Sequence, residues 1–192
     1  MFPCLLLACL AFAAPATAPT VERGHDPWIF RCALDRQPRM VVAALAPNWW
    51  LAFDTQACRV YKVWRGQIHF TGTVYDTRHG PQPQSVGDPL LSSGPPSARA
   101  DSDVRWRGYR LVNGQVVFGF EVGGTTVELT PVFIPSDADG TAAAIEWRFD
   151  VADLPAGQSV DIPLQNSPTA TGPDRVRLDR NGRQVIRTEF TP

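Results

Sequence analysis

What these 192 residues lack narrows their reading first. Neither sign of charge is in excess: the formal net charge is -1, with Lys and Arg scattered along the chain. That removes the electrostatic footprint of a nucleic-acid binder. No window of a dozen residues keeps a 3.6-residue apolar period between helix caps. Beyond the amino-terminal run, no apolar stretch approaches the length of a membrane-spanning helix, so no integral membrane segment is expected there. No Cys-x-x-Cys-His occurs, which excludes covalent c-type haem attachment within this sequence. Close-paired zinc ligands and a nucleophile elbow are absent as well, so no cofactor, metal or catalytic residue is assigned.

What is present begins with MFPCLLLACLAFAAPATAPT, a brief apolar run followed by small residues and prolines. This is the layout of a secretory signal, although no Lys or Arg precedes the run. Residues 1–18 are read as the signal, with cleavage after Ala13 or Ala18, and a periplasmic or secreted location is expected. Leu6-Leu7-Ala8-Cys9 resembles a lipoprotein box, with a short apolar stretch before it. Residues 26–192 are enough for one self-supporting core. Of the four cysteines, only Cys32 and Cys58 lie beyond the leader. In an oxidising compartment this pair predicts a disulfide, worth about 3.5 kcal/mol on chain-entropy grounds, two buried unbridged thiols being the alternative.

Strand signals dominate. Apolar residues alternate at Trp28 to Leu34, at Val116, Phe118, Phe120 and Val122, at Ile145, Trp147, Phe149 and Val151, at Val160 to Leu164, and at Val176 and Leu178. Asn113-Gly114, Gly123-Gly124 and Asn181-Gly182 each sit between such runs and predict tight hairpins, because these residues accept positive φ. Eighteen prolines and fifteen glycines punctuate the rest. The expected fold is all-β: a two-sheet antiparallel β-sandwich of about ten to twelve strands, with a closed or partly closed barrel as the alternative. The Pro/Ser/Gly-rich stretch near 87–101 is expected to be an exposed, mobile loop.

The ordered segments HDPWIFRCALDRQPRMVVAAL (His25 to Leu45), WWLAFDTQACRVYKVWRG (Trp49 to Gly66), TGTVYDTRHGPQP (Thr71 to Pro83) and VRWRGYRL (Val104 to Leu111) resemble the amino-terminal β-rich region of secreted bacterial multidomain proteins that carry a c-type cytochrome domain. The resemblance implies a detached accessory domain, or the product of a split or truncated gene, whose partner is a c-type cytochrome or related redox protein. It carries over no reaction. A non-catalytic ligand-binding or docking module is therefore expected, with a carbohydrate-binding protein and a sugar-active sandwich enzyme as alternatives.

Few side chains compete for a site. His69, Asp76 and His79 are the only clustered groups resembling acid-base or metal chemistry, and a turn at Thr71-Gly72 separates the two histidines. His79 and Gln82 sit in a rigid polar His-Gly-Pro-Gln-Pro loop suited to presenting them to a ligand. Six tryptophans raise the prospect of stacking on a glycan. Trp49 and Trp50 matter most here: neighbours on a strand point to opposite faces, so one must leave the core or cover a second one. Tyr61 and Asp54 are their expected helpers. Arg105 and Arg107, flanking Trp106, read as the solvated face of one strand.

Overall fold

The computed structural model describes residues 28–72, 80–93, 103–136, 143–164 and 170–190. Within them the alternating segments form thirteen strands, all paired antiparallel, and no helix. Five strands form the first sheet in chain order: β1 (Trp28–Leu34), β2 (Gln37–Ala46), β3 (Trp49–Asp54), β4 (Arg59–His69) and β5 (Gln84–Ser92). The next four are β6 (Val104–Val112), β7 (Gln115–Val122), β8 (Thr125–Pro135) and β9 (Ala143–Ala152). They are followed by β10 (Val160–Pro163), β11 (Ala170–Thr171), β12 (Arg175–Leu178) and β13 (Gly182–Phe190). The second sheet has the order β11-β13-β9-β8-β7-β6, and β10 pairs with β12 alone. Both large sheets are open, which decides for the sandwich over the barrel.

The main core lies between these sheets. Phe53 of β3 stacks on Phe118 of β7, with ring centroids 4.7 Å apart, while Trp49 packs on Phe133 and Phe190. A second apolar cluster occupies the opposite face of the five-stranded sheet, built on Leu34, Met40, Val42, Trp50, Trp64 and Ile68. This is how the adjacent tryptophans are accommodated: Trp49 enters the main core, Trp50 the second, and each is only 2% exposed.

The second core is roofed by a bend in the β4–β5 hairpin. Gly66 and Gly87 are direct cross-strand partners with φ of 146° and 121°. A Cβ on Gly66 would lie 2.0 Å from the Val86 carbonyl oxygen, and one on Gly87 2.1 Å from that of Arg65. Only two glycines permit this approach. The bend is capped by the stacked Trp50–Trp64 pair. The Trp50 indole N–H donates to the Gly66 carbonyl (3.0 Å) and that of Trp64 to the Gln67 carbonyl (3.1 Å). Past it, Phe70 reaches Phe30 and Trp28, and the Asp35 N–H donates to the Pro83 carbonyl (3.0 Å).

Several sequence expectations need correction. Cys32 and Cys58 are free thiols, not a disulfide. Cys32 faces the second core and Cys58 the main core. With β2 and β3 intervening, strand spacing alone separates them by roughly 14 Å, beyond any bridge. Alternation puts each cysteine on an apolar face, but the two faces belong to different cores; the register shift between β3 and β4 lies beyond Cys58 and separates only Trp64 from Val60. The stretch read as a mobile loop near 87–101 begins as strand: residues 87–92 complete β5, with Leu90 and Leu91 buried. Residues 94–101 of that stretch lie outside the described residues.

Asn113-Gly114 and Gly123-Gly124 do close the β6–β7 and β7–β8 hairpins, with positive φ at all four residues. Asn181-Gly182 does not. β12 pairs with β10 and β13 with β9, and the Asn181 side chain instead bonds both the N–H and the carbonyl of Leu154.

Candidate functional site

Of the residues proposed for a ligand, the five that lie among the described residues, Trp49, Trp50, Asp54, Tyr61 and Gln82, are all buried. Trp49 and Trp50 present no ring face to solvent. Asp54 is 1% exposed: its Oδ1 accepts from the N–H groups of Gln56 and Ala57, shaping the β3–β4 turn, while Oδ2 has no partner. Tyr61 is buried on the outer face, and burial, then the carboxylates of Asp35 and Asp54, push its phenol pKa upward. Gln82 is buried, its backbone carbonyl accepting from the Thr71 hydroxyl (3.4 Å). His69 ends β4, half-buried opposite Gln84. Asp76 and His79 lie outside the described residues.

Both thiols are buried. Burial, and then the nearby Asp35 carboxylate, push Cys32 up to about 12; burial and then Asp54 do the same for Cys58. Both remain protonated at neutral pH. Among the described residues no group of three or more His, Cys, Asp or Glu side chains could hold a metal ion. No helix long and apolar enough to cross a membrane occurs among them.

One polar cluster is well formed, and pattern reading did not mark it. Asp35 sits in the β1–β2 turn with φ 51°. Its Oδ1 accepts from the Ser85 N–H (2.8 Å), and its Oδ2 accepts from the Ser85 hydroxyl (2.6 Å) and the Lys62 ammonium (3.4 Å). Lys62 also donates to the Ser85 oxygen and lies 5.9 Å over the Trp64 ring. With every partner inside the cluster, it works as a latch joining the β1–β2 turn to β5. No sequence signal links residues 35, 62 and 85; only the bend brings them together.

A cleft of about 230 Å³, lined mainly by apolar residues, lies at one flank of the sandwich. Ile29 and Leu45 line it from the five-stranded sheet, Leu111, Val116 and Phe133 from the six-stranded one, with Trp28 at its side. Leu111 is 48% exposed there although its cross-strand partner, Val116, faces the core. A shallower depression on the outer face of the six-stranded sheet lies over Gly119, beside Arg107, Arg110 and Glu128. There the Arg110 guanidinium grips both Glu128 oxygens (2.5 and 2.6 Å), holding that carboxyl below its ordinary pKa.

Fold and cleft together define an open antiparallel β-sandwich with an apolar flank. Comparison with protein-family models, with curated proteins and with solved structures gives no match.

Proposed function

We propose that the chain is an exported, non-catalytic β-sandwich that serves as a ligand-binding or docking module of a periplasmic, cytochrome-linked redox system. The observation that carries this reading is the flank cleft, where Leu111 faces inward yet stays half-exposed and five further apolar side chains surround the space. Such lining suits an apolar group of a partner or ligand, since burying one leucine-sized side chain contributes roughly 1.5–3 kcal/mol. The resemblance to cytochrome-associated regions supplies the partner class. Its signature residues serve the scaffold: Trp28 and Phe30 roof the second core, Asp35 forms the latch, Met40 is fully buried and the Pro83 carbonyl receives the Asp35 N–H. Glycan binding loses its two principal residues, because Trp49 and Trp50 are buried.

Isotope-edited NMR titration with a soluble c-type cytochrome tests the proposal. The expected result is a set of shifts centred on Ile29, Leu45 and Leu111, abolished by Leu111→Asp while the fold is retained. Shifts confined to another surface, or none at partner concentrations of about 1 mM, would reject it.

A further inference from the structure

We propose that the edge strand β6 is a self-association surface that takes a second copy of this chain by antiparallel β6–β6 pairing. Among the described residues β6 is the last strand of its sheet, paired only with β7. Among the described residues three of the five large apolar residues that are exposed, Tyr109, Leu111 and Val112, fall on this one strand. Exposed apolar side chains along an open strand are what sheet proteins ordinarily avoid.

Two other edges of the large sheets are blunted: β11 has two residues, and β5 carries Pro89 and the bend at Gly87. On β6 the bulge at Arg107 and Gly108 ends regular pairing on one side and the Asn113-Gly114 turn on the other. This leaves residues 108–112 as a short, straight docking segment.

The segment is self-complementary. A two-fold axis through Arg110 sets Tyr109 opposite Leu111 of the second copy, and Leu111 opposite its Tyr109, an aromatic-aliphatic cross-strand pair made twice. Tyr109 and Leu111 share the inward face, since their β7 partners Phe118 and Val116 do. The charge arrangement permits the approach. Two arginines would otherwise meet on the axis, but Arg110 reaches back across β7 to Glu128, and Arg107 pairs with Glu121. Both cations are drawn away from the edge and neutralised. The two sheets would thereby join into one of twelve strands, by the main-chain pairing used in strand addition.

Sedimentation velocity on the processed chain should show mass rising toward twice the monomer as concentration increases. Leu111→Arg should lower the association constant about tenfold or more. Glu128→Gln, which releases Arg110 toward the axis, should weaken association without unfolding the protein. Arg110→Cys gives a geometric test. Residues facing each other across an antiparallel pair have Cα atoms about 4.5–5.5 Å apart, so oxidised glutathione should convert this variant to a disulfide dimer while Arg183→Cys on β13 stays monomeric. A monomer up to about 1 mM, a dimer indifferent to Leu111→Arg, or a folded Arg110→Cys variant that cross-links no faster than Arg183→Cys would overturn the proposal, the first outcome leaving the edge to a different partner.

Discussion

Replacing Gly66 with alanine tests the bend on which the second core depends. Three costs combine. Residue 66 sits at φ 146°, where a side chain brings strain of about 1–3 kcal/mol. The new Cβ would lie 2.0 Å from the Val86 carbonyl oxygen, against ordinary contact at 3.4–4 Å, so the two backbones must part. Parting them draws the Gly66 carbonyl away from the Trp50 indole, and an indole N–H left without a partner under the roof costs a further 1–3 kcal/mol or so. The expected loss is about 4 kcal/mol, or about 10 °C in Tm for a domain of this size.

Two other glycines separate the contributions. Gly114 has φ 75° but nothing within 4 Å of its Cβ position, so Gly114→Ala should cost only about 1–2 kcal/mol. Gly119 has no positive φ and would meet its nearest neighbours at 3.7 Å, so Gly119→Ala should be neutral or stabilise by about 0.5 kcal/mol. Urea unfolding followed by tryptophan emission and by circular dichroism measures all three. Equal losses for Gly66→Ala and Gly114→Ala would show that the close backbone approach carries no energy, and would refute the reasoning.

Other parts of the structure give independent tests. Asp35→Asn keeps a residue type tolerant of φ 51° but removes the charge that gathers Ser85 and Lys62, the only lysine of the chain; a loss of about 2 kcal/mol in urea unfolding is expected, and a loss below about 0.5 kcal/mol would mean the latch is not energetically coupled. Cys32 and Cys58 should both react with a thiol reagent once the protein is denatured without reductant, and neither while it is folded, whereas recovery of no thiols would restore the disulfide. Their pKa is raised from 9.0 to about 12 in the fold, so the folded state holds more protons than the unfolded chain above pH 9: stability is intact below that value and falls as pH climbs toward 12, more steeply than in a Cys32→Ala, Cys58→Ala variant. Glu128 shifts the opposite way, lowered from 4.5 chiefly by the Arg110 hydrogen bonds, so its contribution is present above pH 4.5 and lost on acidification; on a partly exposed pair it should amount to less than about 1 kcal/mol, read as the difference between the acid unfolding curves of the parent and Glu128→Gln.

The fold class was legible because it rests on local rules. Period-two alternation marked most of the long strands, and paired residues able to take positive φ marked the β6–β8 meander. What stayed hidden is non-local. Alternation assigns Trp49 and Trp50 to opposite faces, but it cannot say that both faces are core. That depends on Gly66 meeting Gly87 across twenty-one positions of sequence and on the hairpin folding back. The same gap explains Asn181-Gly182, whose turn chemistry is correct for a hairpin but whose flanking strands pair in different sheets. It also explains the misjudged cysteines: alternation puts each on an apolar side, but Cys32 belongs to the second core and Cys58 to the main one.

A similar argument separates the resemblance from the site. Trp28, Phe30, Asp35, Met40 and Pro83 stand out in sequence because the bend, the latch and the roof of the second core demand those residues at those places. Leu111, in the last of the segments quoted for the resemblance, shares the core-facing register of its cross-strand partner Val116. It is exposed because the opposing sheet leaves this flank uncovered, a property of how two sheets end and not of any residue's own neighbours in the chain. Cleft and edge strand therefore stand out only when inward-facing register is compared with exposure, a comparison that needs the paired sheets and not the sequence alone.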